Sequence, residues 1–160
     1  MRGKHLSMGA VGLALVACVA CNKGSEGVTV FAAQLSGSNE VPARATAASG
    51  AGGFNLQGGT VTYSIEVHGL HNVTGTHIHS GAAGVNGPIR VNFITVPLTS
   101  PVSAGDGVLI EGSFTAADVT VVTFDQLIEQ MRTGNAYLNV HSPTYPGGEI
   151  RGQIQLVQNE

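Results

Sequence analysis

Hydrophobic and polar side chains alternate most cleanly where Val61, Tyr63, Ile65 and Val67 are interleaved with Thr60, Thr62, Ser64 and Glu66. A period of two marks a half-buried strand, because successive side chains leave opposite faces of the pleat. Shorter runs of the same kind predict strands over Val28–Leu35, around Phe54-Asn55-Leu56, and over Pro88–Ile94, Val108–Phe114, Ala136–His141 and Glu149–Val157. In the last of these, Ile150, Ile154 and Leu156 face one way and Arg151, Gln153 and Gln155 the other. Turn chemistry separates the runs, at Ser36–Pro42, Gln57-Gly58-Gly59, Pro97–Gly107 and Tyr145-Pro146-Gly147-Gly148. The small residues over Ala43–Gly53 predict a loop. One stretch breaks the period: Thr123-Phe124-Asp125-Gln126 is a capping box, followed by Leu127, Ile128 and Met131 at helical spacing and stopped by Gly134. About eight short strands with one minor helix predict an all-β Greek-key sandwich or barrel. Its core is expected to hold Val61, Tyr63, Ile65, Val67, Ile78, Leu138, Val140, Ile150 and Ile154.

A second alternation carries the candidate chemistry. In Gly75-Thr76-His77-Ile78-His79-Ser80 the two histidines share one strand face while Ile78 takes the other, and Gly81, Gly84 and Gly87 follow at once. Tyr137-Leu138-Asn139-Val140-His141 repeats the grammar, with Tyr137, Asn139 and His141 on one face. The pattern predicts three imidazoles from two strands meeting at one end of the fold. Such a set suits copper(II) or zinc, with water, Glu149 or Glu40 as a fourth ligand. The competing arrangement is a polar network in which the histidines bond loop carbonyls together with Asn39, Asn139 and Glu149. Glu149 and Arg151 are two apart on one strand, so they either form a surface ion pair contributing on the order of 0.5 kcal/mol or hold the site. In the second role Glu149 orients a histidine and Arg151 ties down the Asn39-Glu40 loop. His68 and His71 flank Gly69-Leu70 and read as exposed turn residues. Gly81, Gly84, Gly87, Gly147 and Gly148 serve tight loops and form no phosphate cradle, since neither a strand-to-helix junction nor a lysine accompanies them.

Composition narrows the partners. The chain has 160 residues, 23 glycines, no tryptophan and 11% charged residues, which fits one all-β domain. A net charge of −3 excludes nucleic acid as a partner class. Arg2 and Lys4 precede the apolar run Leu6–Ala17, so residues 1–21 read as a signal peptide, too short for a stable span. Leu15-Val16-Ala17-Cys18 resembles a bacterial lipobox with Cys18 as the lipidated residue and Cys21 as the alternative. Residues 22–27 form a tether and 28–157 the domain, which contains no cysteine and therefore no disulfide or thiolate site. The expected location is the periplasm, outer membrane or cell surface, with a lipid anchor joining the protein to the membrane.

Several separate motifs in order resemble the CHRD domain. They are Phe31-x-Ala33-x-Leu35-Ser36-Gly37-x-Asn39-Glu40-Val41-Pro42, then His77-Ile78-His79-x-Gly81-x-x-Gly84 with Gly87-Pro88. Tyr137-x-Asn139-Val140-His141 and Pro146-Gly147-Gly148-Glu149-Ile150-Arg151-Gly152-Gln153 complete the set. The resemblance implies an immunoglobulin-like β-barrel, an extracytoplasmic location and no settled biochemical activity. That family is said to share limited similarity with copper-zinc superoxide dismutases, and His77, His79 and His141 match three of the dismutase copper ligands. No histidine lies between Ser80 and Asn139, so the bridging and zinc histidines are missing. Gly148, not Arg151, falls at the position of the dismutase arginine. The resemblance therefore implies a fold and three ligands, not dismutase chemistry. No base, nucleophile or substrate anchor accompanies the histidines, so the expected function is non-enzymatic. It is a lipid-anchored binding module for copper, zinc or an extracytoplasmic protein or small ligand, or else a structural or adhesive domain.

Overall fold

The clean alternation forms β3 (Thr60–His68), where Val61, Ile65 and Val67 are fully buried and Tyr63 is half-buried against the core. These features come from a computed structural model that describes residues 27–97 and 99–159. The expected signal peptide, both cysteines and the tether up to residue 26 lie outside the described residues. Gln57 pairs with Thr60 across a two-residue turn whose Gly58 and Gly59 have φ of 56° and 78°, the primed geometry that matches strand twist.

The remaining elements are β1 (Thr29–Ser36), β2 (Ser49–Gln57), β4 (Asn72–Val73), β5 (Gly75–Ser80), β6 (Ile89–Thr95), β7 (Val102–Ser103) and β8 (Gly107–Phe114). After the helix α1 (Phe124–Arg132) come β9 (Ala136–His141), β10 (Ile150–Gln153) and β11 (Gln155–Asn159). One antiparallel sheet runs β6-β5-β9-β10-β1-β2-β3-β8, and β11 also pairs with β1. Its end strands meet through aromatic rings. Phe93 on β6 lies 4.3 Å from Tyr63 and 6.1 Å from Phe114 on β8, so the sheet curls into a nearly closed barrel around the apolar core.

The structure departs from the pattern in three places, one being β7, which lies inside the predicted Pro97–Gly107 loop and pairs with β4. The small residues before Phe54 belong to β2 and not to a loop. Leu138 crosses the barrel so closely that a Cβ on Gly52 would sit 2.5 Å from its Cδ2. Glycine there reflects packing, not irregular backbone. The last predicted strand is broken at Ile154, which is in the core, whereas Leu156 on β11 is 40% exposed. The helix is as expected: Thr123 Oγ1 accepts from the Gln126 amide at 3.2 Å, and Gln126 Oε1 accepts from the Thr123 amide at 2.9 Å.

The core also fixes the face of the histidine strand. Ile78 on β5 and Leu138 and Val140 on β9 have no exposed surface, and each contributes about 1.5–3 kcal/mol by burial. A slip of one residue would drive His77 and His79 into that core, so burial holds the histidines on the opposite face.

Candidate metal centre

β5 and β9 are neighbouring antiparallel strands, with His77 opposite Asn139, His79 opposite Tyr137 and Gly75 opposite His141. Two of the three histidines are therefore diagonal neighbours across the ladder. Gly75 leaves the space their rings need: a Cβ there would lie 2.8 Å from His77 Cε1 and 3.3 Å from His141 Cδ2. Nδ1 of His77 stands 3.1 Å from Nε2 of His141, and the ring centroids of His77 and His79 are 5.6 Å apart. His77 and His79 are 6% and 9% exposed, and His141 is half-buried.

Backbone carbonyls orient two of the rings. Nδ1 of His79 lies 2.8 Å from the Gly87 carbonyl, and Nδ1 of His141 lies 2.9 Å from the Pro146 carbonyl. A carbonyl only accepts, so both rings carry their proton on Nδ1 and present a bare lone pair at Nε2. Nε2 of His79 is buried and has no hydrogen-bond partner. A partnerless buried nitrogen costs on the order of 1–3 kcal/mol unless something outside the chain satisfies it.

The donor set fits a transition-metal ion. One nitrogen from each of His77, His79 and His141 can be chosen so that all lie within 4.8 Å of one another. Nitrogens about 2.0–2.1 Å from a shared ion stand roughly 2.9–3.4 Å apart at bond angles of about 90–110°. The His77–His141 separation of 3.1 Å already meets that range, and the His79 nitrogen lies within 4.8 Å of both. Burial pushes all three imidazolium ions down from the ordinary 6.5. For His77, desolvation and then the charges of His141 and His79 carry it to about 4. Desolvation also dominates at His79 and His141, against the opposing pull of their carbonyl partners. The rings are neutral at pH 7, which is the metal-binding form.

The sign of the pH dependence follows. The unfolded chain takes up protons near pH 6.5 that folded His77 refuses until about pH 4. The stability held by neutral rings is complete above pH 6.5 and is lost as pH falls through that window. Thermal melts of metal-free protein should show a midpoint that is flat from pH 8 to 7 and declines steadily toward pH 4. A midpoint independent of pH between 6.5 and 4 would contradict the buried, neutral rings.

The other predicted residues fall around the histidines without joining them. The Glu149 carboxylate accepts from Thr46 Oγ1 at 2.8 Å and from Ser142 Oγ, so it pins two loops and orients no imidazole. Glu40 is 5% exposed and accepts from Asn139 Nδ2 at 2.5 Å. Burial raises its carboxyl pKa against the pull of Arg151 and Arg44. Among the described residues, the cluster with ion-holding spacing is thus the three histidines without either carboxylate. Arg151 is 1% exposed and forms no surface ion pair. Its guanidinium donates to Asn86 Oδ1 and to the carbonyls of Ala82 and Val85. It therefore ties down the loop after β5; the Asn39 loop is held instead by Asn39 Nδ2 donating to the Arg151 carbonyl at 3.1 Å. Gly81 and Gly84 lie in the first of these loops, and Gly147 and Gly148 in the loop between β9 and β10.

Two contributors escaped the sequence reading as site residues. Tyr137 stacks on His79 at 4.8 Å and 6°, and the Arg151 guanidinium carbon lies 3.5 Å from the Tyr137 ring centre. The signal was present, since Tyr137 shares its strand face with Asn139 and His141. Thr95 places Oγ1 3.2 Å from His77 Nε2, and nothing in its local sequence marks it.

No curated protein and no solved structure matches the chain. The family model for the CHRD domain matches residues 31–154, from the second position of β1's core face to the last core residue before β11. With that match covering most of its length, the chain belongs to the CHRD domain family.

Proposed function

We propose that the protein is an exported, lipid-anchored CHRD-domain binding module that holds one copper or zinc ion through His77, His79 and His141. The observation that carries this reading is the buried, partnerless Nε2 of His79, facing two other neutral imidazoles. Three nitrogen ligands with a fourth position left to water or a partner would let the ion bind a second molecule, such as an extracytoplasmic protein or small ligand. The ion's chemistry when bound is Lewis acidity; the chain's residues orient the rings and keep them neutral. The non-enzymatic reading rests on the sequence, where no base, nucleophile or substrate anchor accompanies the histidines. Export and anchoring rest on the leader, with Cys18 or Cys21 as the lipidated residue.

Isothermal titration of metal-free protein with copper(II) or zinc should reveal one site, abolished in the His77→Ala/His79→Ala variant with secondary structure unchanged. Unaltered binding in that variant, or no heat in the native protein, would remove the metal.

One observation favours a second reading. The 3.1 Å His77–His141 contact is also a hydrogen-bond distance, so the rings could form a closed polar network in a structural or adhesive domain. Under that reading the double variant loses about 1–3 kcal/mol of stability whether or not metal is present.

A further inference from the structure

We infer that Thr95 and Asn92 are positioning residues that set the tautomer of His77 and thereby keep three imidazole lone pairs aimed at one point. The inference rests on the metal reading of the same site. Thr95 lies on β6 opposite Gly75, and Asn92 lies opposite His77. Between them the pairing is irregular, with a register shift at Thr76/His77. Such bulges turn side chains that a regular ladder would aim elsewhere.

The hydrogen bonds form a directed relay. Thr95 Oγ1 donates to Asn92 Oδ1 at 2.9 Å, which uses its only proton. Toward His77 Nε2, 3.2 Å away, the hydroxyl can then act only as an acceptor. His77 must supply the proton from Nε2, which leaves Nδ1 bare. That atom faces Nε2 of His141 at 3.1 Å. The His141 proton is already committed to the Pro146 carbonyl through Nδ1. Two lone pairs therefore confront each other with no proton between them, and the His79 Nε2 lone pair is the third. The closed-network alternative needs the opposite arrangement, with a proton on His77 Nδ1 donated to His141. The threonine hydroxyl, whose direction Asn92 sets, bears on which of the two holds, alongside the backbone hydrogen bond between His77 and Ile94. A cation relieves the confrontation where a hydrogen-bond network cannot.

Long-range proton–nitrogen spectra of metal-free protein at neutral pH should show His77 protonated at Nε2. Thr95→Val keeps the β-branched shape but removes the acceptor, so His77 should shift to the Nδ1–H form and bond His141. Copper(II) or zinc affinity, read by titration, should then fall about 10–100-fold, the usual cost of removing a group that orients a ligand. Thr95→Ser should restore both readouts. Asn92→Asp should preserve the Nε2–H form, because a carboxylate can only accept. Asn92→Leu should free the hydroxyl to donate to Nε2 and reverse the tautomer. Native protein with His77 protonated at Nδ1, or Thr95→Val with native tautomer and native affinity, would overturn the assignment. If the native tautomer is Nε2–H but no metal binds, the relay stands and the metal reading falls.

Discussion

Replacing Arg151 with methionine is expected to lower the unfolding free energy by about 3–5 kcal/mol, the range for removing one partner from a buried charged network. Its guanidinium is almost wholly enclosed, at 1% exposure, between the Tyr137 ring and the loop that follows β5. The donors reach Asn86 Oδ1 at 3.0 Å, the Ala82 carbonyl at 3.2 Å and the Val85 carbonyl at 2.7 Å. Methionine fills much of the volume but withdraws the donors from those three acceptors, of which the Ala82 carbonyl keeps the Val85 amide. It also withdraws a positive charge from Glu40, whose carboxyl burial already pushes up. Glu40 would then hold its proton to a higher pH and weaken as an acceptor for Asn139. Lysine should recover little, because one ammonium cannot span three acceptors or stack on a ring. Urea unfolding measures the loss. A change below about 1 kcal/mol in Arg151→Met would show that the loop is held by other contacts.

The same arginine shows how much of the site the chain discloses before it is folded. Period-two alternation placed His77, His79 and His141 on the face opposite Ile78, Leu138 and Val140, because strand geometry converts spacing directly into facing. Alternation is silent about what lies across the ladder. It could not reveal that Gly75 sits opposite His141, or that the Glu149 carboxylate turns toward Thr46 and Ser142. For Arg151 the sequence offered a loop-tying role beside a surface ion pair but named the Asn39-Glu40 loop; the loop it ties comes from sequence about 70 residues away. The first half of β2 was hidden for a related reason. Gly52 is required by the close approach of Leu138 on β9, and composition alone reads such small residues as a loop. Local pattern thus carries the strands and their faces, while the second layer around the histidines is a product of long-range closure.

Gly87→Ala is expected to damage stability and metal binding together. The loop after β5 returns so tightly that an ideal Cβ on Gly87 would lie 1.6 Å from the Ser80 carbonyl oxygen, a backbone atom that cannot swing away. The segment must move outward, yet three bonds converge on Gly87. Its carbonyl accepts from His79 Nδ1 at 2.8 Å and from the Tyr137 hydroxyl at 3.4 Å, and its amide donates to that hydroxyl at 3.1 Å. Strain plus lost bonds should cost about 2–4 kcal/mol. Losing the carbonyl that fixes the His79 tautomer should weaken copper(II) or zinc binding about 10–100-fold. Gly84→Ala is the matched control in the same loop. Its φ of +78° disfavours a side chain, but a Cβ there meets nothing within 4 Å, so the cost should be about 1 kcal/mol with metal affinity unchanged. Urea unfolding and metal titration of the two variants side by side separate loop strain from ring orientation. Equal stability in the two variants would remove the steric argument, and native affinity in Gly87→Ala would show that the carbonyl does not hold His79 for the ion.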